Sequence, residues 1–196
     1  MSLLLGYVLI GIAITMGAAW AKKRYMSFAA QSPDDYAFGE EFDIRKVLNG
    51  PIACEGIIYG PTGRVTSRFV ARFDASWNGN VGVMNEVFHY DSGNVQNRAW
   101  TLTLDGDGEI KADADDLVGS GRGQQSGNAV VLNYKIKLSD EAGGHVLNAS
   151  DWMYLMSNGT IMNRNQFRKF GFKVAELVAT MRPLTASEAE QTDKAA

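Results

Sequence analysis

Charged side chains occur on strand-like stretches whose other residues are large and apolar, and they are the first candidates for chemistry. Glu86 shares an alternating face with Phe88, and Arg98 shares another with Trp100. A charge on such a face must be paired or must face a cavity, because burying it alone is strongly unfavourable. These residues therefore predict a paired or ligand-facing polar group inside the fold.

An acidic cluster lies further along the chain, at Asp113, Asp115 and Asp116. Such a cluster could serve acid–base chemistry or hold a hard cation. Strand alternation places Asp113 and Asp115 on one face, which favours a solvated pair over a catalytic dyad. Asp116 shares the face of Ala112 and Ala114, so it is the member expected to point inward.

The segment from Asp151 to Gly171 has the densest mixture of aromatic and polar side chains. Its candidate site residues are Asp151, Trp152, Tyr154, Asn163, Arg164 and Lys169. This mixture predicts a ligand mouth at one end of a barrel, with a few polar groups that orient the ligand. The structural alternative is a lid whose charges pair with neighbours of Asp116 or Glu86.

Other motifs favour turns over sites. The stretch from Asp105 to Glu109 resembles the start of a calcium loop, but Ile110 stands where an EF-hand needs glycine, so we predict a hairpin turn. The glycine-rich stretch 119–123 lacks the Gly-Lys-Ser/Thr ending of a phosphate loop and predicts a bend between strands. Neither His89 nor His145 has the context of a general base.

Composition excludes several classes of protein. The single cysteine, Cys54, permits no intramolecular disulfide, and with only two histidines we expect no metal site and no cofactor. The formal net charge of −3 gives no indication of a nucleic-acid partner. The chain has 21 glycines and four prolines, a balance typical of many tight turns.

The elements that must position these residues are strands. Apolar and polar residues alternate in 64–74, 81–90, 98–104 and 130–138, and turn signals separate them. We also predict strands over 52–59 and 151–157, and a closing strand over 172–182. Strands of this length and spacing are typical of an antiparallel barrel or sandwich, and a barrel of about eight to ten strands suits the charged inner faces.

The N-terminal stretch Leu3–Ala21 contains no charge, and Lys22, Lys23 and Arg24 follow it. As a helix it is long enough to cross a bilayer, which predicts an uncleaved transmembrane anchor. A cleaved signal is the alternative, since Ala19-Trp20-Ala21 fits a cleavage site, although no basic residue precedes the apolar run. The predicted organisation is an anchor over 1–25, a linker over 26–41, a β-barrel domain over 42–182 and a disordered tail over 183–196.

A series of short motifs resembles a known family. The motifs are Cys54-Glu-Gly, Arg68-Phe69, Asn85 to Tyr90, Arg98-Ala-Trp100, Ala114 to Gly119, Gly127-Asn-Ala129, Asp151 to Tyr154, Asn163-Arg164 and Lys169 to Gly171. In order and spacing they resemble domain-of-unknown-function family 3833, a family of uncharacterised bacterial cell-envelope proteins, many of them described as lipoproteins. The resemblance runs from about Phe42 to Arg182 and implies a lipocalin-like barrel. Members often have Asp-Asp-Trp where this chain has Ser150-Asp151-Trp152, which weakens a two-carboxylate site there.

The resemblance and the charges disagree on topology. The basic flank after residue 21 favours a cytoplasmic domain, whereas the envelope setting of the family favours a periplasmic one, at the bacterial inner membrane. We favour the periplasmic side.

Three functions follow from these observations. We expect first a membrane-tethered barrel that binds a small apolar or amphipathic molecule, for instance a lipid. The alternatives are a packed barrel that docks on an envelope complex, and a hydrolase or isomerase that uses Asp116, Asp151 and Arg164. The candidate ligand-binding residues are Glu86, Arg98, Trp100, Asp116, Asn128, Asp151, Trp152, Tyr154, Asn163, Arg164 and Lys169.

Overall fold

A computed structural model describes residues 2–185, without the side chains of Ser2 and Glu141. Helix α1 spans Ser2–Tyr25, and helix α2 spans Ile44–Val47. Short 3-10 turns lie at Phe28–Ala30, Pro33–Tyr36 and Asp140–Ala142. Most of the tail predicted as disordered over 183–196, from residue 186 onward, lies outside the described residues.

Ten strands make up the rest of the described chain. They are β1 (Gly50–Tyr59), β2 (Val65–Asn78), β3 (Val81–Tyr90), β4 (Val95–Leu104), β5 (Glu109–Asp113), β6 (Gly121–Ser126), β7 (Ala129–Lys137), β8 (Val146–Leu155), β9 (Ile161–Lys169) and β10 (Phe172–Pro183). Each strand pairs with the next in antiparallel register, and β10 pairs with β1 to close the barrel. The prediction of an all-β antiparallel barrel behind one N-terminal apolar helix is confirmed, as is the closing strand near the C-terminus.

Helix α2 and the residues beside it lie at one end of the barrel. After the linker region, the chain turns into α2, and Ile44 in α2 is buried in the core together with the flanking residues Phe42 and Leu48. The Phe42 amide donates to the Gly127 carbonyl over 2.7 Å, and the Trp77 indole donates to the Leu48 carbonyl over 2.7 Å. This end of the barrel is therefore covered by apolar side chains that its own backbone holds in place.

Helix α1 stands apart from the barrel core. Its apolar side chains are exposed, and from Leu3 to Tyr25 it is long and apolar enough to cross a membrane. A signal sequence near an N-terminus meets the same test. The three basic residues 22–24 lie in its last turn, where positive charge complements the helix dipole.

Two corrections concern the glycine-rich stretch 119–123 and the predicted barrel mouth, although the strand predicted over 151–157 does overlap β8. Residues 121–123 of the expected glycine-rich bend belong to β6. The Asp151–Gly171 segment, expected at a barrel mouth or lid, forms β8 and β9 in the side wall instead. In β9 both faces carry polar residues, so the sequence shows no alternation there.

Candidate functional site

Arg98 is the centre of a polar network inside the barrel. Its guanidinium makes two hydrogen bonds to the carboxylate of Asp116, over 2.8 and 3.1 Å. The same group lies 4.1 Å from the centre of the Trp100 ring and 5.8 Å from that of Tyr134. A fork of donors on one carboxylate, held between aromatic rings, is a stable way to keep a cation in an apolar wall.

A second carboxylate, Asp151, lies in the same interior. It accepts hydrogen bonds from the Asn163 amide and, over 3.4 Å, from the Tyr134 hydroxyl. Tyr134 in turn accepts from the Asn165 amide over 2.7 Å. Burial raises the pKa of Asp151, and the hydrogen bond from Asn163 opposes that rise.

Glu86 is the third interior carboxylate and the least satisfied. It lies directly opposite Arg98 across β3 and β4 and is only 5% exposed. Its Oε2 has no hydrogen-bond partner among the described residues. Burial raises the pKa of Glu86 to about 7, against the opposing effects of the Arg98 charge and a hydrogen bond with Trp100.

These groups line a cavity of about 110 Å³ in the barrel interior. Most of its lining is apolar, from the side chains of Phe69, Phe73, Met84, Phe88, Leu102, Leu132, Met153, Phe167, Leu177, Ala179 and Met181. A second oxygen without a partner, Oδ1 of Asn165, belongs to the same lining, and its residue is 4% exposed. The cavity thus combines apolar walls with two acceptors that have no donor within residues 2–185, the composition typical of a small-molecule site.

A separate cluster lies outside the barrel, where the chain between α1 and α2 packs against the wall. The Tyr36 ring contacts the Trp152 and Tyr154 rings, each at a centroid distance of 5.3 Å. Gln31 accepts hydrogen bonds from the hydroxyls of Tyr36 and, over 2.6 Å, Tyr154. The segment that was predicted as a linker therefore contacts the barrel through aromatic packing.

A family model for proteins of unknown function, DUF3833, matches residues 24–183. The chain belongs to this family. The match begins before the segment 28–36 that packs on the barrel wall, so the region shared with the DUF3833 family includes Tyr36 as well as the barrel. No curated protein matches the sequence of this chain.

Two solved structures resemble this DUF3833 barrel. An S-type phycobiliprotein lyase, CPES from Guillardia theta, has a TM-score of 0.54 and 9% identity, covering 80% of this chain and 99% of its own. Rv2717c from M. tuberculosis has a TM-score of 0.52 and 13% identity, covering 71% of this chain and 94% of its own. At these identities the likeness concerns the fold alone.

The structure brings together six of the candidate residues of this DUF3833 member. Glu86, Arg98, Trp100, Asp116, Asp151 and Asn163 belong to the interior network or are bonded to it. Asp116 is joined to the network through its hydrogen bonds with Arg98, but it lies in the turn after β5 and does not line the cavity. That these residues bind a ligand stays a prediction.

The other five candidates lie elsewhere. Trp152 and Tyr154 pack under Tyr36 on the outer wall, Asn128 lies in the turn between β6 and β7, and Lys169 ends β9 with its Nζ 2.9 Å from His145 Nδ1.

Arg164 is also on the outside. Its Nε lies 2.6 Å from Glu176 Oε1 and its guanidinium lies 4.9 Å from the Phe28 ring centre. The hypothetical catalytic group of Asp116, Asp151 and Arg164 is therefore divided, because neighbouring residues of a strand point to opposite faces and Arg164 has the outward phase.

Two interior residues were not predicted. Tyr134 was assigned to an apolar strand face, and its hydroxyl connects Asp151 with Asn165. Asn165 follows Asn163 at a spacing of two, which is the signal that could have placed both amides on one face of a strand. Within residues 2–185, no group of three or more potential ligand side chains could hold a metal ion.

Proposed function

We propose that this protein is a binding module whose barrel interior holds a small amphipathic molecule. The observation that carries the proposal is the cavity of about 110 Å³, lined by apolar side chains and two buried oxygens without donors. Buried oxygens without partners are rare in folded proteins, and a bound molecule or water satisfies them.

The volume of the cavity restricts the size of the ligand. A protein cavity of about 150 Å³ can hold benzene, so a cavity of about 110 Å³ limits the ligand to a small ring or a short alkyl chain at most. A whole diacyl lipid exceeds it, whereas a short amphiphile does not. The cavity also favours a binding module over the fully packed barrel of the structural alternative.

The fold comparison supports a role beyond packing. The similar barrel from Guillardia theta is a phycobiliprotein lyase, so this architecture occurs in a protein that is named for its action on another molecule. That activity itself is not part of the proposal, since the likeness concerns the fold alone.

The binding test uses the full chain in detergent micelles and toluene as an apolar probe. Toluene at a hundred times its dissociation constant stabilises the folded state by about 2.7 kcal/mol, which is a Tm increase of roughly 5 to 10 °C for a chain of this size. Ala179→Leu and Leu177→Phe fill the cavity and should each abolish the increase. Ala53→Leu, on the outer face of β1, is the matched control and should retain it. No Tm increase in the unmodified protein would refute the proposal.

The second part of the proposal is a membrane tether through residues 3–21, with the barrel on the periplasmic side of a bacterial inner membrane. The uncharged helix with its basic end supports the tether. The periplasmic side rests on the envelope setting that the family resemblance implies, against the charge of that basic flank. The intact mass of the purified membrane-extracted protein tests whether the helix is retained. A C-terminal alkaline phosphatase fusion tests the side, since that enzyme is active only in the periplasm. A mass that lacks residues 1–21 would contradict the retained tether. An inactive fusion would contradict the periplasmic side.

A further inference from the structure

The charges that line the cavity, together with Asp116 bonded to Arg98 beside it, do not balance. Three carboxylates, Glu86, Asp116 and Asp151, and one guanidinium, that of Arg98, make up the interior network of the described chain. Arg98 makes its two short hydrogen bonds to Asp116, and these two charges cancel. Glu86 and Asp151 are left without an ion-pair partner among the described residues, so the ionised interior carries two uncompensated negative charges.

The unsatisfied hydrogen-bonding groups point in the same direction. Glu86 Oε2 and Asn165 Oδ1 are oxygens, and an amide oxygen or a carboxylate can only accept. A ligand that satisfies both must supply at least two N–H or O–H donors. A carboxylate or phosphate monoanion would add negative charge to a site that already has an excess of it.

We propose that the cavity takes the primary ammonium group of a short alkyl or arylalkyl amine. The ammonium has three donors and one positive charge, so it satisfies the open acceptors and compensates one carboxylate. The apolar body of the amine lies against the phenylalanine and methionine side chains of β2 and β3. This inference rests on the proposed function and specifies its ligand class.

Protons compete with the amine at Glu86, which gives the binding a pH dependence. Burial raises the pKa of Glu86 to about 7, and the ammonium needs the ionised carboxylate. Affinity should therefore rise by about tenfold from pH 6 to pH 8 and level off above that. The titratable and charged groups that influence or adjoin Glu86 are Arg98, Asp116, Asp151, Tyr134, Tyr90 and Cys54.

The experiment is calorimetric titration of the full chain in detergent, in amine-free phosphate buffer at pH 8, with butylamine, 1-butanol and butyrate. The three probes share a chain length and differ in the polar group. We expect butylamine to bind at least about tenfold more tightly than butanol, since hydrogen bonds to charged groups are the stronger ones, and butyrate not to bind. The cavity-filled Ala179→Leu variant reports any effect that arises outside the cavity.

Variants separate the inference from the proposed function. Glu86→Gln keeps the size of the side chain and should remove the preference for butylamine and its pH dependence, while butanol still binds. Glu109→Gln, at an exposed position of β5, should change neither. Butanol binding as tightly as butylamine would overturn the inference and leave the proposed function standing. Failure of every probe, toluene included, would overturn both.

Discussion

The buried carboxylate of Glu86 should make the free protein less stable as the pH rises. The group is surrounded by the apolar interior, and one of its oxygens has no donor. Replacing it with glutamine removes the charge and keeps the shape, so Glu86→Gln should stabilise the fold wherever the wild-type carboxylate is ionised.

The magnitude follows from the pKa. Burial raises the pKa of Glu86 from 4.5 to about 7. Below 4.5 the group is protonated in both the folded and the unfolded state and has no effect on stability. Above 7 it is ionised in both, and the folded state bears the full penalty of about 3 kcal/mol, at 1.36 kcal/mol per pKa unit. Stability is thus lost as the pH rises between these two values.

Thermal unfolding of the full chain in detergent, followed by circular dichroism without amines in the buffer, measures the effect. At pH 8.5 the Tm of Glu86→Gln should exceed that of the wild type by roughly 10 °C, taking about 2 to 4 °C per kcal/mol. At pH 5 the wild-type penalty is about 1 kcal/mol, so the difference should fall to roughly 3 °C. Glu109→Gln serves as the exposed control and should leave the Tm unchanged at both pH values.

Two results would refute this reasoning. If Glu86→Gln lowers the Tm at pH 8.5, then attraction to Arg98 outweighs the desolvation of Glu86, and the interior is not short of positive charge. If the variant is stabilised equally at pH 5 and pH 8.5, then its effect comes from packing, since only an ionisation effect changes across the pKa.

Three further outcomes test the contact of segment 28–36 with the barrel wall and the closed interior of the barrel. Tyr36→Ala should lower the free energy of unfolding by about 2 kcal/mol through lost aromatic packing, whereas Phe38→Ala, at an 83% exposed side chain, should change it by less than about 0.5 kcal/mol in the same denaturation assay. Gly127→Ala should cost more than about 2 kcal/mol, because its Cβ would lie 1.9 Å from the Tyr36 carbonyl oxygen at a φ of +49°; Gly79→Ala, in open space at +60°, should cost about 1 kcal/mol. Burial raises the pKa of the Cys54 thiol, so a disulfide reagent should label it only after the protein unfolds, and rapid labelling of the native protein would contradict the closed interior.

Alternation predicted the strands that have water on one side. In β2, Phe69, Ala71 and Phe73 are buried, and Arg72 lies on the opposite face, as a period of two requires. Turn signals then give the lengths of the strands between them. Strands that each pair with the next along the chain can close into a barrel without long connections. The barrel could therefore be predicted from local patterns, because each pattern reports a local contact with solvent.

Alternation fails to assign the inner and outer faces where the inner face of a strand is polar and its outer face is apolar. On β8, Asp151 points into the barrel and Trp152 points out, so polarity alone would assign both to the wrong side. The inside is polar at this level because the cavity holds the network of Arg98 and Asp151. The outside is apolar because Tyr36, from a segment more than a hundred residues earlier, covers Trp152.

Both causes are contacts between residues far apart in the chain, so no window of sequence contains them. The prediction of Asp151, Trp152 and Arg164 as members of one site followed from their density in the sequence alone. Strand phase would have divided them, since residues 151 and 152 must face opposite ways whatever their chemistry. A strand with polar residues in both phases, such as β9 with Asn163 and Arg164, then indicates a wall between a polar cavity and solvent. For a closed barrel, candidate site residues should therefore be grouped first by the face of the strand on which their position places them, and only then by their polarity.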